Sequence, residues 1–352
     1  MLIEENKPLA PFTTFGIGGP ARWFVEAASE EEIAEAAAWA AERGVPLFVL
    51  GGGSNLLVSD SGFDGLVLRV ALHGISEQVA TTPSGQTIYQ AAAGEDWDPF
   101  VERTTQAGSA GIECLVGIPG TVGGTPVQNV GAYGQEVASA IEQVRAFDLQ
   151  SHSFVEFAAA ECGFAYRRSR FNSEDRGRYI VTRVDYRLTP GGAPTVRYAD
   201  LQRALAESGE PNLAEVAAVV RRVRQAKGML LVDGDPDCRS AGSFFKNPVV
   251  SEEQLRQIAA VSAKEPPRFP AGTGAENLGW VKVPAAWLIE QAGFSKGYTL
   301  GAAAISSRHT LALVNLGAAS AAEVLALAEQ INAAVEARFG LRLEMEPVLV
   351  GF

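Results

Sequence analysis

The sequence predicts a protein of mixed helices and strands, α/β or α+β, assembled from three parts. Length is the first reason, because 352 residues exceed what one ordinary hydrophobic core organises. Pattern is the second: short apolar runs of strand length alternate with longer stretches of helical period. Glycine is the third, concentrated in two stretches, 51–55 and 117–134, that punctuate the elements.

In chain order, Ser29 followed by Glu32 forms a capping box that opens a helix over 30–43, and Gly44 is placed to end it. Residues 45–50 then read as a short apolar strand, broken by Gly51-Gly52-Gly53-Ser54-Asn55. A second apolar run covers 56–58 and a further strand 65–70. A helix over 97–107 precedes the second glycine stretch, and strands follow around 144–149 and 179–188. Residues 189–195 are rich in Pro and Gly and mark a boundary region. Beyond it, 212–227, 252–261, 284–292 and 321–339 read as helices, with strands at 301–306 and 312–315. No repeat period recurs.

Composition narrows the function classes. The chain is 47% hydrophobic and 20% charged, as in a globular protein rather than a disordered one. Its apolar runs are too short and interrupted to span a bilayer, which argues against membrane insertion. Met1-Leu2-Ile3-Glu4-Glu5 lacks the layout of a signal peptide. Cys114, Cys162 and Cys238 are odd in number and far apart, with no metal-ligand pairing. These features predict a cytoplasmic protein without a metal. A formal net charge of −12 argues against a nucleic-acid partner. An anionic small molecule must then be met by local cations, which Arg167, Arg168, Arg170, Lys227 and Lys246 could supply.

The glycine stretches exclude two common nucleotide sites. Gly51–Asn55 lacks the Lys-Ser/Thr ending of a P-loop and runs into a strand rather than a Rossmann helix. The second stretch runs Gly117-Ile118-Pro119-Gly120-Thr121-Val122-Gly123-Gly124, then Gln128-Asn129-Val130-Gly131-Ala132-Tyr133-Gly134. Glycine lets backbone amides approach an anion closely. Two such loops suit a dinucleotide clasped between two small α/β units, although either alone also fits a tight turn. The run Ser240-Ala241-Gly242-Ser243-Phe244-Phe245-Lys246-Asn247-Pro248 suits a proton donor near an anion-binding corner, and equally a strand edge with a polar end.

Six motifs in register carry a resemblance to a known family. They are Thr13-Thr14-Phe15-Gly16-Ile17-Gly18-Gly19, residues 50–58, residues 117–135, Tyr166-Arg167-Arg168-Ser169-Arg170-Phe171, residues 240–248, and Leu343-Glu344-Met345-Glu346. Together they make the chain similar, over essentially its whole length, to the UDP-N-acetylenolpyruvoylglucosamine reductase (MurB) family of peptidoglycan precursor synthesis. The resemblance implies an α+β protein whose FAD-binding fold is of the vanillyl-alcohol-oxidase (PCMH) type. Two α/β subdomains, 1–75 (joined by 340–352) and 76–205, would precede a third, α+β substrate-binding domain over 206–339. FAD would be held non-covalently by Gly51, Gly52, Gly53, Ser54, Asn55, Gly117, Gly120, Thr121 and Gly123, with Val181 near it.

The same resemblance implies that NADPH reduces the flavin and leaves, and that UDP-N-acetylglucosamine-enolpyruvate then enters. Hydride would pass to the methylene carbon of the enol ether, leaving negative charge beside a carboxylate. Such a step needs an electrostatic clamp and a proton source. Arg167 would face the carboxylate, Ser243 would donate the proton and Glu346 would be the second acid. Glu344 is the alternative for that last role, because the family often has Val-Arg after this glutamate whereas this chain has Pro347-Val348. Tyr198, on a mobile loop, with Lys227, Asn247 and Gln291, would hold the sugar nucleotide. Lys227 also fits a plain helix-terminal cation, and His309 a structural histidine. Two other functions compete: an FAD-dependent oxidase of the same fold, and a non-catalytic flavin or nucleotide-sugar binding protein. The oxidase often tethers its flavin through His or Cys, and neither first-domain loop offers one.

Overall fold

A computed structural model describes residues 1–79, 85–206, 209–262, 264–271 and 279–352. The chain folds as two compact units, neither contiguous in sequence. The first comprises 1–7, 21–53 and 64–226, the second 8–20, 54–63 and 227–352.

The first unit holds two larger sheets and a short two-stranded ribbon, Gly131–Ala132 with Gln135–Glu136. One runs in the order Glu4–Pro8, Pro20–Ala27, Phe63–Val70, Leu47–Leu50, with the last two strands parallel. The helix Glu30–Arg43 makes the crossover between Pro20–Ala27 and Leu47–Leu50, and its Ile33, Ala36, Ala37 and Ala40 are buried. Its ends follow the sequence. Ser29 Oγ accepts from Glu32 N at 3.2 Å, and Gly44 closes the helix in the left-handed region. The Glu32 carboxylate, however, reaches past Ser29 to accept from Ala28 N at 2.8 Å, one residue further out than a capping box predicts.

The second sheet is antiparallel: Ser153–Ala158, Ile141–Asp148, Tyr179–Pro190, Thr87–Ala92 and Ile75–Val79, with the short Ser109–Ala110 paired to the end of Tyr179–Pro190. Ser153–Ala158, Thr87–Ala92 and Ile75–Val79 are not marked out by the sequence patterns above. Their alternation is diluted by charged and amide residues on the open face. Helices Trp97–Gln106 and Leu213–Ala226 belong to this unit, and Trp97, Phe100 and Tyr186 pack tilted in its core with ring centroids 5.1–5.7 Å apart.

The second unit has its own core, built on Phe15, Leu57, Phe244, Phe245, Leu288, Ile305, Leu327 and Ile331. The Thr-Thr-Phe-Gly motif is structural here. Thr14 Oγ1 donates to Ser240 O at 2.5 Å, the Phe15 ring meets Phe244 edge-on, and Asn315 Nδ2 donates to Phe15 O at 2.9 Å. The long helix Ala321–Phe339 is capped by a full Ser320–Glu323 box. Val348–Val350 pairs in parallel with Leu56–Val58, so the end of the chain closes onto its first quarter. Among the described residues no helix is long and apolar enough to cross a membrane.

Candidate active site

In the first unit the two glycine loops meet backbone to backbone. A Cβ added to Gly52 would lie 2.5 Å from Gly120 Cα and 2.9 Å from Thr121 N, and one on Gly51 would lie 3.0 Å from Thr121 Oγ1. Gly123 packs as tightly, its N donating to Ala93 O at 2.9 Å and its added Cβ falling 2.5 Å from Ala93 Cβ. Gly117 is fixed from both ends: its N donates to Asp98 Oδ1 at 2.5 Å and its O accepts from Arg224 Nε at 3.0 Å. Glycine lets the two backbones come this close, and loops of this kind present amides to a phosphate, although the Gly117 and Gly123 amides are themselves engaged within the protein. This cradle fits the pyrophosphate of a dinucleotide such as FAD. Val181, buried on Tyr179–Pro190 and paired with Ala146, belongs to the same unit.

Arg167 is also in the first unit. Its backbone is left-handed at φ 54°, a rare state for a residue with a Cβ and one that clusters at functional sites. Its Nη2 donates to Gly131 O at 2.8 Å, and its guanidinium lies 5.3 Å from the Tyr166 ring centroid. The second glycine stretch therefore aims Arg167. The neighbouring arginines are otherwise employed: exposed Arg168 pairs with Glu174, while Arg170 pairs with Asp175 and covers the Phe157 ring. Tyr198 stands 42% exposed, edge-on to Tyr133.

The second unit places Ser243 and Glu346 through a short antiparallel contact. Glu346 N donates to Phe244 O and Lys246 N to Glu344 O, both at 2.9 Å, with Phe245 opposite Met345. Phe244 and Phe245 anchor this contact in the core. The Ser243 hydroxyl has no hydrogen-bond partner among the described residues and follows Gly242, which is left-handed. Glu346 and its alternative, Glu344, differ in their surroundings. Glu344 is exposed and held by Lys246 Nζ at 2.5 Å, whereas Glu346 is half-buried. Asn55 Nδ2 donates to Glu346 O at 3.2 Å, and Asn55 O accepts from Val348 N at 2.9 Å. Pro347 leads straight into the closing strand, and no basic residue follows Glu346.

Asn247 Oδ1 accepts from Ala285 N at 2.9 Å, which ties it to the start of Ala285–Gln291, and Gln291 ends that helix. Lys227 and Lys296 both bear electrostatically on His309. Burial first, then these two cations, lower that imidazole to about 4, so it is neutral at pH 7.

Two residues passed over in the sequence emerge from the geometry. Arg224 is buried, with its guanidinium against Gly117 O, and desolvation lowers its pKa. Glu113 is buried beside the second glycine stretch. An arginine three residues before Lys227, in an otherwise apolar stripe, was the only sequence signal for the first; nothing marked the second. A separate cavity of about 550 Å³ in the first unit is lined by Glu30, Gln90, Arg145, Thr182 and Arg183. None of the predicted site residues lines it; its Glu30 and Arg145 pair with each other, and its Arg183 pairs with Asp185 outside the lining.

Comparison with known proteins identifies the family and the fold. Residues 21–151 match the FAD binding domain model, and residues 235–350 match the model for the C-terminal domain of UDP-N-acetylenolpyruvoylglucosamine reductase. A solved structure of UDP-N-acetylenolpyruvylglucosamine reductase from Thermus caldophilus is similar over 99% of both chains, with 29% identity and a TM-score of 0.67. The expected α+β, FAD-binding fold is therefore present. UDP-N-acetylenolpyruvoylglucosamine reductase of Streptomyces coelicolor is 46% identical over 99% of this chain and 90% of its own. That of Thermobifida fusca is 44% identical over 99% and 98%. At this identity over nearly its full length, the chain belongs to the UDP-N-acetylenolpyruvoylglucosamine reductase family.

Proposed function

We propose that this protein reduces the enolpyruvyl group of UDP-N-acetylglucosamine-enolpyruvate to give UDP-N-acetylmuramate, with NADPH as reductant. It is an FAD-dependent oxidoreductase of peptidoglycan precursor synthesis. The observation that carries the reading is the pair of glycine loops packed backbone to backbone, in a chain 46% identical to a reductase of this name. FAD, when bound, supplies the two-electron chemistry that links NADPH to the enolpyruvyl carbon.

The chain supplies the rest. Gly51, Gly52, Gly53, Gly117, Gly120, Thr121 and Gly123, with Ser54, Asn55 and Val181, hold the cofactor. Arg167, aimed by Gly131, pairs with the substrate carboxylate; a planar guanidinium suits two parallel hydrogen bonds to it. Ser243 hands its proton to the carbon next to that carboxylate, a transfer favoured by a hydroxyl not already committed to a neighbour. Glu346 is the second acid; the Lys246 pairing of Glu344 supports that choice. Tyr198, Lys227, Asn247 and Gln291 hold the sugar nucleotide. In this reading 1–75 with 340–352 and 76–205 form the two halves of the cofactor cradle, and 206–339 carries the substrate.

Ser243→Ala tests the assignment. The NADPH-consuming half-reaction should stay close to wild type, while the substrate half-reaction slows on the order of 10²–10⁴-fold. Rapid-mixing measurement of each half decides. A substrate half-reaction at the wild-type rate would remove Ser243 from the mechanism.

A further inference from the structure

Glu113 is fully buried, yet among the described residues no cation pairs with it. A carboxylate in that position is costly unless donors surround it. Three do: Oε1 accepts from Thr195 N at 2.7 Å and from Gln135 Nε2 at 2.8 Å, and Oε2 accepts from Gly111 N at 2.8 Å. The side chain thus ties together the turn at Gly111, the end of the second glycine stretch, and the head of the segment that carries Tyr198. Cys114 doubles the tie, its N donating to Gln135 Oε1 at 2.7 Å and its Sγ to Thr195 O at 3.1 Å.

Three consecutive residues of the glycine stretch grip the following segment. Gln135 reaches Thr195 through Glu113. Gly134 lies against Arg197, so that a Cβ on it would stand 3.3 Å from Arg197 Cβ. The Tyr133 ring meets Tyr198 edge-on, with centroids 5.4 Å apart. At Thr195 the segment is held by a bond to a buried carboxylate, whereas Tyr198, three residues on, stands 42% exposed against the Tyr133 ring. A Pro/Gly-rich stretch alone would let the whole of 190–198 wander.

We propose that Glu113 is a positioning residue for Tyr198: it pins Thr195, so that the segment swings about a fixed point and returns Tyr198 to one place over the substrate. The role rests on Tyr198 closing over the sugar nucleotide, and Glu113 itself touches no substrate. A carboxylate is required because all three partners are donors. Glutamine would set an N–H₂ against one of them.

Hydrogen exchange of the FAD-loaded wild-type protein tests the pin without any variant. The Thr195 amide should be protected with and without UDP-N-acetylglucosamine-enolpyruvate, while the amides of Arg197 and Tyr198, which precede the helix Ala199–Ala204, gain protection when it is added. Exchange at Thr195 as fast as at an exposed loop amide overturns the proposal. Kinetics supply the second readout. Glu113→Gln should raise the KM for this substrate about tenfold, the size expected for one unmatched buried donor, and should affect NADPH oxidation much less. In a Tyr198→Ala background the same change should add less than about twofold. Full additivity means that Glu113 acts elsewhere and overturns its role alone. An unchanged KM in Tyr198→Ala overturns the substrate-closing reading, and this role with it.

Discussion

His309 shows how a single side chain sets a pH dependence. Its ordinary value of 6.5 falls to about 4 because burial and the nearby Lys227 and Lys296 disfavour the imidazolium. Between those two values the unfolded chain binds a proton that the native protein does not, so stability rises with pH across that window. The contribution is complete above about 6.5 and is lost as pH falls toward 4, up to about 3 kcal/mol in all. His309→Gln should flatten this part of the profile, read as denaturation midpoint against pH. Parallel profiles for the two proteins would mean that the imidazole is not desolvated. Ser243 and Arg167 make the complementary point: each is placed by backbone, the serine by a left-handed Gly242 before it and the arginine by its own φ of 54°.

Among elements, the loops rather than the helices carry the constraint. The three atoms nearest a Cβ on Gly52 are all backbone of Gly120 and Thr121, which cannot swing aside for a methyl group as a flexible side chain could. Gly52→Ala should therefore displace one loop at about 1–3 kcal/mol and weaken FAD binding by about tenfold or more, measured by flavin titration of the apoprotein. Gly44→Ala is the contrast. A Cβ there meets nothing within 4 Å, and the cost is the left-handed helix cap alone, about 1 kcal/mol, with flavin affinity unchanged. Equal flavin affinity in the two variants would show that the loop contact is not part of the cradle.

For the whole molecule, an acidic chain keeps most of its arginines in pairs with carboxylates and leaves little reactive sulfur. Arg145, Arg170, Arg178 and Arg183 are all engaged in this way. Cys114 and Cys162 are fully buried, and desolvation pushes both thiols up to about 12. The one cysteine next to the second glycine stretch is thus neither exposed nor ionised at pH 7, which disfavours attack on a flavin. Acid precipitation of the protein should leave all FAD in the supernatant. Flavin fluorescence in the washed pellet would show a covalent tether.

The sequence by itself determined the elements whose signals are local and the motifs whose order is diagnostic. Helix Glu30–Arg43 with its Ser29 and Gly44 ends, helix Ala321–Phe339, and the two glycine stretches were legible because caps, period and backbone freedom act within a few residues. The strands Thr87–Ala92 and Ser153–Ala158 were not, since their register is set by partners distant in sequence. The resemblance preferred Glu346 and kept Glu344 as the alternative; that Glu344 is exposed and pairs with Lys246 while Glu346 is half-buried could not be read from their spacing of two. The C-terminal closure of Val348–Val350 onto Leu56–Val58, and a buried Glu113 whose partners come from residues 111, 135 and 195, were likewise decided only by tertiary structure. Both depend on contacts between segments far apart in the chain, whose long-range pairing leaves no local trace.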